Sequence, residues 1–206
     1  MEWERREYQF DISTGDGEKG KVITGRPIVY GVRTNIGYFD EIIAKGALDG
    51  ADMRDVRFLV NHDKKMIPLA RSRRNNGNST MQLMTVDDGL DISVTLDVDN
   101  NSTAAELYSA IEREDITGMS FAFLVGDEKW EDLDSDHPTR TILRFEKIIE
   151  VSAVTFPAYE QTSISTRNND DMSEKILKEA RERRRINDKD AEVERLRIEI
   201  NAKRFL

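Results

Sequence analysis

A serine and a histidine each interrupt an apolar run that otherwise resembles a β-strand. Ser120 lies within Ile116–Phe123, directly after Gly118-Met119, and His62 follows Phe58-Leu59-Val60. Burying a polar group without a partner costs about 1–3 kcal/mol, so each of these side chains needs one. Because a hydroxyl and an imidazole can satisfy each other, Ser120 and His62 are candidates for a nucleophile and its general base.

A third candidate is a carboxylate in a later apolar run. Glu150 lies between Ile149 and Val151, and a buried carboxylate must be paired. It could accept the second N–H of the His62 ring, which would fix the tautomer and stabilise the imidazolium. Glu146 competes for this role, because strand alternation places both glutamates on one face.

Each residue also has an ordinary structural interpretation. A histidine at a strand end is often a hydrogen-bonding residue, and a strand serine often bonds to the backbone. Alternation places Ser120 and Ala122 on one face, which we expect to be small and open. Such a face suits a nucleophile that a peptide approaches, and it also suits tight packing. His137 lies in a polar loop, where we expect a solvated side chain.

The elements that must position these residues are mostly short strands. The clearest is a hairpin over 80–96, whose arms alternate around an Asp-Gly turn, and Pro27 marks an edge or a bulge. Residues 102–111 predict a helix with Ser102 or Thr103 at its N-cap. Many strands and few helices predict a mainly β chain with helices (α+β), arranged as a compact barrel or sandwich.

Four segments together resemble the tailed-bacteriophage prohead (capsid maturation) serine proteases. They are Glu41–Leu48, Val60–Asp63, Gly118–Phe123 and Glu150–Ala158, in that order. The likeness covers roughly residues 20–165. That family is similar to the herpesvirus assemblins, so the resemblance implies a compact β-barrel with flanking helices.

The resemblance also implies roles for the candidate residues. Ser120 would be the nucleophile and His62 the general base. Assemblins have a second histidine as the third member, and this chain offers Glu150 instead, with Glu146 as its competitor. The oxyanion donors would be backbone N–H groups around Thr155–Tyr159, and neither a cofactor nor a metal is implied.

The implied function is that of a serine endopeptidase of phage capsid assembly. Such an enzyme cleaves scaffold or the major capsid protein's delta domain, and itself, inside the prohead in the host cytoplasm. These proteins are the expected substrates, and self-association is expected. The alternative is a non-catalytic structural or scaffolding module of the virion.

Composition narrows the other classes of function. The chain has no cysteine, which excludes a thiol nucleophile and cysteine-based zinc sites. Its net charge of −9 argues against nucleic-acid binding, and no apolar run is long enough for a membrane span. A carboxylate-based glycosidase remains an alternative, although aromatic residues make up only 7% of the chain. With two histidines, a metal site is a weaker alternative.

Changes in composition predict three regions. Residues 1–19 form an N-terminal extension or a first strand, and residues 20–167 form the protease domain. Residues 168–206 form a charged tail with apolar residues at helical spacing. We expect this tail to be a helix that pairs with a partner and is removed by self-cleavage, or else an ordinary disordered C-terminus.

Overall fold

A computed structural model describes residues 3–8, 12–17, 20–155 and 167–203 of the chain. The described part contains eleven strands and two helices, which confirms the prediction of a mainly β chain with helices. The elements are β1 (Glu4–Tyr8), β2 (Ile12–Gly17), β3 (Gly20–Val29), β4 (Arg33–Asn35), β5 (Asp40–Ile43), β6 (Asp55–Val60), β7 (Ala70–Arg73), β8 (Met81–Val86), β9 (Gly89–Leu96), α1 (Ser102–Glu112), β10 (Gly118–Glu131), β11 (Thr139–Val154) and α2 (Arg167–Lys203).

The larger sheet has seven strands and is built around β11. Its order is β1-β10-β11-β5-β4, and β6 and β7 extend it beside the second half of β11. With sixteen residues, β11 is long enough to pair in parallel with β5 at its start and with β6 near its end. The end of β6, where His62 follows, therefore lies beside the segment that carries Glu150.

The smaller sheet has the order β2-β3-β9-β8 and contains the predicted hairpin. At the hairpin turn, Gly89 has a φ of 151°, and a Cβ there would lie 1.9 Å from the carbonyl oxygen of Ile28. Only glycine fits this close approach. The register of β3 shifts between Gly25 and Ile28, which confirms the bulge predicted at Pro27.

Apolar side chains from both sheets and from α1 form one main core. At its centre, the Phe121 and Phe123 rings stack at 5.0 Å between centroids, and Phe145 meets both edge-on. Leu107 and Ile111 of α1 are buried in the same core. Burial of side chains of this size stabilises the fold by about 1.5–3 kcal/mol each.

The described strands do not form the compact barrel that the resemblance implied. The smaller sheet ends at β2 and β8, and the larger one has free edges at β1, β4 and β7 in the described ranges. A barrel needs strand pairing that continues around a closed ring. Alternation of apolar and polar residues is the same in open and closed sheets, so the sequence pattern could not separate them.

Helix α1 begins one residue earlier than the sequence pattern indicates. Its N-cap is Asn101, whose side-chain oxygen accepts hydrogen bonds from the backbone N–H groups of Thr103 and Ala104 at 3.1 and 3.2 Å. The predicted caps, Ser102 and Thr103, are instead the first helical residues. Asparagine is as good an N-cap as serine, so the sequence offers three adjacent N-cap residues and does not distinguish between them.

Helix α2 covers most of the region predicted as a charged tail, and only its first half lies on the body. Leu177 and Ala180 are buried against Phe39 and Leu133 in a second, smaller apolar cluster. From residue 182 to residue 198 every side chain is exposed. Neither α1 nor α2 combines the length and the apolar character that crossing a membrane requires.

Candidate active site

His62 lies just beyond the end of β6 in a strained turn. Both Asn61 and His62 adopt left-handed backbone conformations, with φ of 49° and 57°. The Asn61 side chain holds this turn against the end of β11, because it accepts a hydrogen bond from the Thr155 N–H at 2.9 Å and donates one to Thr155 Oγ1 at 3.0 Å. Such strain persists only where surrounding contacts impose it, and it is concentrated at functional sites.

Glu150 connects the histidine to β11. One of its carboxylate oxygens accepts a hydrogen bond from His62 Nδ1, and the other accepts one from Ser152 Oγ at 2.6 Å. The carboxylate is buried, with 3% of the residue exposed, and both oxygens are paired. A neutral imidazole that donates from Nδ1 carries its lone pair on Nε2, so this contact selects the tautomer that can act as a base.

Strand register brings Ser120 to the same face. In the pairing of β10 with β11, Ser120 lies opposite Ser152 and Ala122 lies opposite Glu150. Directly opposed residues share a face, with Cβ atoms about 4.5–5.5 Å apart. Ser120, Ser152 and Glu150 therefore form one polar row, and His62 joins it through Glu150.

The serine face is not open, contrary to the sequence-based expectation. Ser120 and Ala122 are both fully buried. The N-terminal strand β1 pairs with β10 along this edge, and Ser120 Oγ donates a hydrogen bond to the carbonyl oxygen of Arg6 at 2.7 Å. The face has small side chains, but it is buried, and the edge of β10 beside Ser120 is paired with another strand of the same chain.

Glu146, the competing carboxylate, lies elsewhere. It is exposed. Between Glu150 and Glu146 the register of β10 and β11 shifts twice, leaving Ile149 and Glu146 without Cα partners in β10. Each bulge locally reverses the alternation of side chains between the two faces of the sheet. Strand periodicity along β11 therefore does not predict which glutamate contacts His62.

His137 is part of a different cluster at the surface. Its side chain is 41% exposed, and its Nε2 lies 2.9 Å from a carboxylate oxygen of Asp40. In the described ranges, no group of three or more histidine, aspartate or glutamate side chains is placed to hold a metal ion.

A buried network of charges lies beside the candidate site. The guanidinium of Arg6 bonds both oxygens of Glu41 at 2.6 Å, and Arg140 bonds Glu41, Glu4 and Glu128 at 2.5–3.0 Å. Burial alone would raise the pKa of Glu4, but its contacts with Arg140 and Arg6 dominate and lower this pKa from 4.5 to about 2. The strand β1 is thus fixed at both Glu4 and Arg6.

The same network acts on the arginines. Burial alone would lower the pKa of Arg6 and of Arg140, but the carboxylates of Glu41 and Glu4 outweigh it and raise the pKa of both groups above the usual value. Both arginines therefore stay charged in the interior. A buried charge in such a network is tolerated only because its partners are hydrogen-bonded to it.

Sequence reasoning did not assign a role to Asn61, Ser152 or Arg6. Ser152 could have been identified, since it follows Glu150 by two positions and strand alternation places both on one face. Asn61 also carried a signal, because asparagine is enriched in left-handed conformations. The sequence carried no signal for Arg6, because its partner Glu41 lies 35 residues away along the chain. Most of the predicted oxyanion segment, Thr155–Tyr159, lies outside the described residues.

Comparison with known proteins identifies a matching family and a similar solved structure. Residues 8–175 match the sequence profile of the caudovirus prohead serine proteases. Among solved structures, the chain is similar to the bacteriophage T4 capsid assembly protease gp21, with 13% identity, 74% of this chain and 96% of that chain covered, and a TM-score of 0.42. No curated protein matches the sequence.

Proposed function

The chain belongs to the caudovirus prohead serine protease family and is a serine protease, and we propose that Ser120 is its nucleophile and His62 its general base. Glu150 is the proposed third member, which orients the imidazole. The observation that carries the assignment is the Glu150 carboxylate, which bonds His62 and Ser152 on the face that also holds Ser120.

These residues account for the chemistry of peptide cleavage. Ser120 Oγ attacks the scissile carbonyl carbon, and its proton passes to His62 Nε2. The imidazolium is stabilised by Glu150 and then gives the proton to the departing amine, which leaves an ester on Ser120. Water, deprotonated by the same histidine, attacks the ester carbon. The bond from that carbon to Ser120 Oγ breaks as His62 returns the proton to Oγ, which frees Ser120 and releases the carboxylate product.

The proposed substrates are the proteins of the assembling shell. A capsid-maturation protease acts in the prohead, and we propose that this one cleaves scaffold or the delta domain of the major capsid protein, in the host cytoplasm. The net charge of −9 argues against nucleic acid as the ligand and is compatible with protein substrates.

The decisive experiment is incubation of the protein with the scaffold and major capsid proteins of the same phage, followed by sequencing of the fragments. We expect cleavage at defined bonds by the wild-type protein and none by Ser120→Ala. A fluorophosphonate probe should modify the wild-type protein at Ser120. Identical fragments from both proteins, or labelling of the variant at the wild-type rate, would remove Ser120 as nucleophile. A wild-type protein that neither cleaves nor labels would favour a non-catalytic module of the virion.

A further inference from the structure

The strand β1 occupies the free edge of β10 at the candidate nucleophile. In the antiparallel register, Glu7 lies opposite Ser120 and Arg6 lies opposite Phe121. A serine hydroxyl has one proton to donate, and Ser120 donates it to the carbonyl oxygen of Arg6. While β1 is in place, that proton is not directed at a base, and a peptide carbonyl of the chain itself lies at the serine.

The side chain of Arg6 anchors this strand in a buried acidic pocket. Its guanidinium makes two hydrogen bonds to Glu41 and lies 5.3 Å from the centre of the Phe123 ring. Bidentate pairing of this kind fixes geometry as well as charge. The arginine residue whose carbonyl meets Ser120 is thus also the residue whose side chain is held by Glu41.

Departure of β1 would leave no unpaired charge behind in the network. Glu41 keeps its hydrogen bond to Arg140 at 3.0 Å, and Arg140 keeps its hydrogen bond to Glu128 at 2.7 Å. The strand itself takes away one carboxylate, Glu4, and one guanidinium, Arg6, whose charges cancel. Removing one partner of a buried pair is strongly destabilising, but here each remaining carboxylate keeps a guanidinium, because Arg183 also bonds Glu128 at 2.7 Å.

We propose that the β10 edge beside Ser120 is the peptide-binding edge of the protease and that β1 fills it as an intramolecular occupant. A sheet edge takes up an extended peptide through main-chain hydrogen bonds, while pockets for alternate side chains give specificity. The substrate is an extended segment that replaces β1, with a basic side chain bound at Glu41. This inference rests on the proposed role of Ser120.

The first test is the rate at which a fluorophosphonate probe labels Ser120. In Arg6→Ala the strand loses its anchor while Glu41 keeps Arg140, so we expect labelling at least about tenfold faster than in the wild-type protein. Arg6→Lys keeps the charge but loses the planar fork, and its rate should be intermediate. Arg54→Ala is the matched control, because it removes a similar two-bond pairing with a carboxylate, here Asp52, at an exposed site outside β1, and it should label at the wild-type rate.

The second test supplies the sequence of β1 as a separate peptide. A synthetic peptide with the sequence of residues 1–8 is added to the Arg6→Ala protein, and its effect on the labelling rate is measured. We expect the peptide to slow labelling in a saturable way, and the same peptide carrying R6A to have a much weaker effect. Circular dichroism and thermal melting verify that each variant is folded.

The outcomes separate this inference from the proposed function. Equal labelling of folded Arg6→Ala, Arg6→Lys and Arg54→Ala, all at Ser120, would overturn the inference and leave the nucleophile assignment intact. A peptide without effect would overturn the assignment of this edge to substrate. Failure of every variant to label at Ser120 would overturn both.

Discussion

At the scale of single residues, Glu150 determines the geometry of the candidate site. Replacing it by glutamine keeps the shape of the side chain but removes the charge that selects the His62 tautomer. We expect Glu150→Gln to lower kcat/KM for cleavage of a capsid or scaffold substrate by roughly 10³–10⁴-fold. The matched control is Glu146→Gln, which should cleave at the wild-type rate. An equal loss in both variants would contradict the assignment of the third residue.

Ser152 has a smaller predicted effect because it acts through Glu150. Ser152→Ala removes one hydrogen bond from a buried carboxylate, and such a bond contributes about 1.5–3 kcal/mol. We expect kcat to fall by at least about tenfold with little change in KM. Ser152→Thr, which retains the hydroxyl in a strand, should recover most of the rate. Full activity of Ser152→Ala would show that the bond to His62 alone fixes Glu150.

The sequence predicted that Ser120 lies in an apolar strand, that His62 follows one and that both need partners. The structure places Ser120 in β10 and His62 just beyond the end of β6. It could not choose between Glu146 and Glu150, because two register shifts in this part of β11 break the alternation on which a choice would depend. It also predicted an open serine face. The sequence gives the size of each side chain along β10. It does not show which strand pairs with the edge of β10.

At the scale of elements, β1 is held by charges that depend on pH. The folded-state pKa of Glu4 is about 2 and its ordinary value is 4.5, a difference that corresponds to about 3 kcal/mol. Because the pKa is depressed, this stabilisation is complete above about pH 4.5 and is lost as the pH falls towards about 2.

The prediction is therefore that the free energy of unfolding of the wild-type protein exceeds that of Glu4→Gln at neutral pH. The excess should shrink as the pH falls from about 4.5 towards about 2. Urea unfolding curves over this range measure it. A difference that stays constant with pH would show that Glu4 does not titrate with the shifted pKa.

Elements formed by near neighbours were the most predictable. The sequence predicts the hairpin of β8 and β9 from the alternation of apolar and polar residues and from the Asp-Gly turn, since both signals are local. The pairing of β1 with β10 joins residues 114 positions apart, as in the bond from Ser120 to Arg6. Register between distant strands is set by packing of the whole sheet, and a single sequence does not display it.

At the scale of the whole molecule, α2 is attached to the body by few side chains. Leu177 is 4% exposed within a small cluster, whereas Leu196 is 50% exposed. We expect Leu177→Ala to destabilise the docked part of α2 by about 2 kcal/mol and Leu196→Ala by less than about 0.5 kcal/mol. Hydrogen exchange of the α2 amides measures both. Equal protection in the two variants would contradict the docking of α2 through Leu177.

Self-cleavage is a further prediction about the whole chain. If residues 168–206 are removed by the proposed site, the wild-type protein should shorten on storage while Ser120→Ala keeps its full mass. Intact-mass measurement at intervals decides this. Equal trimming of both proteins would attribute the loss to another protease.

The overall shape was predicted less well than its composition in strands and helices. Alternation and turn residues give the number and type of the elements, but closure of a sheet depends on pairing between distant edges. The sheets of the described part have free edges where the resemblance implied a compact barrel.

The short connection between β1 and β2 has a kinetic consequence. Three residues join β1 to β2, so this strand never diffuses away from β10, and a short tether gives an effective concentration of the order of millimolar. A substrate in dilute solution competes poorly against an occupant at that concentration. A substrate confined with the enzyme at a comparable millimolar concentration competes with β1 on equal terms. Confinement itself would therefore activate the enzyme.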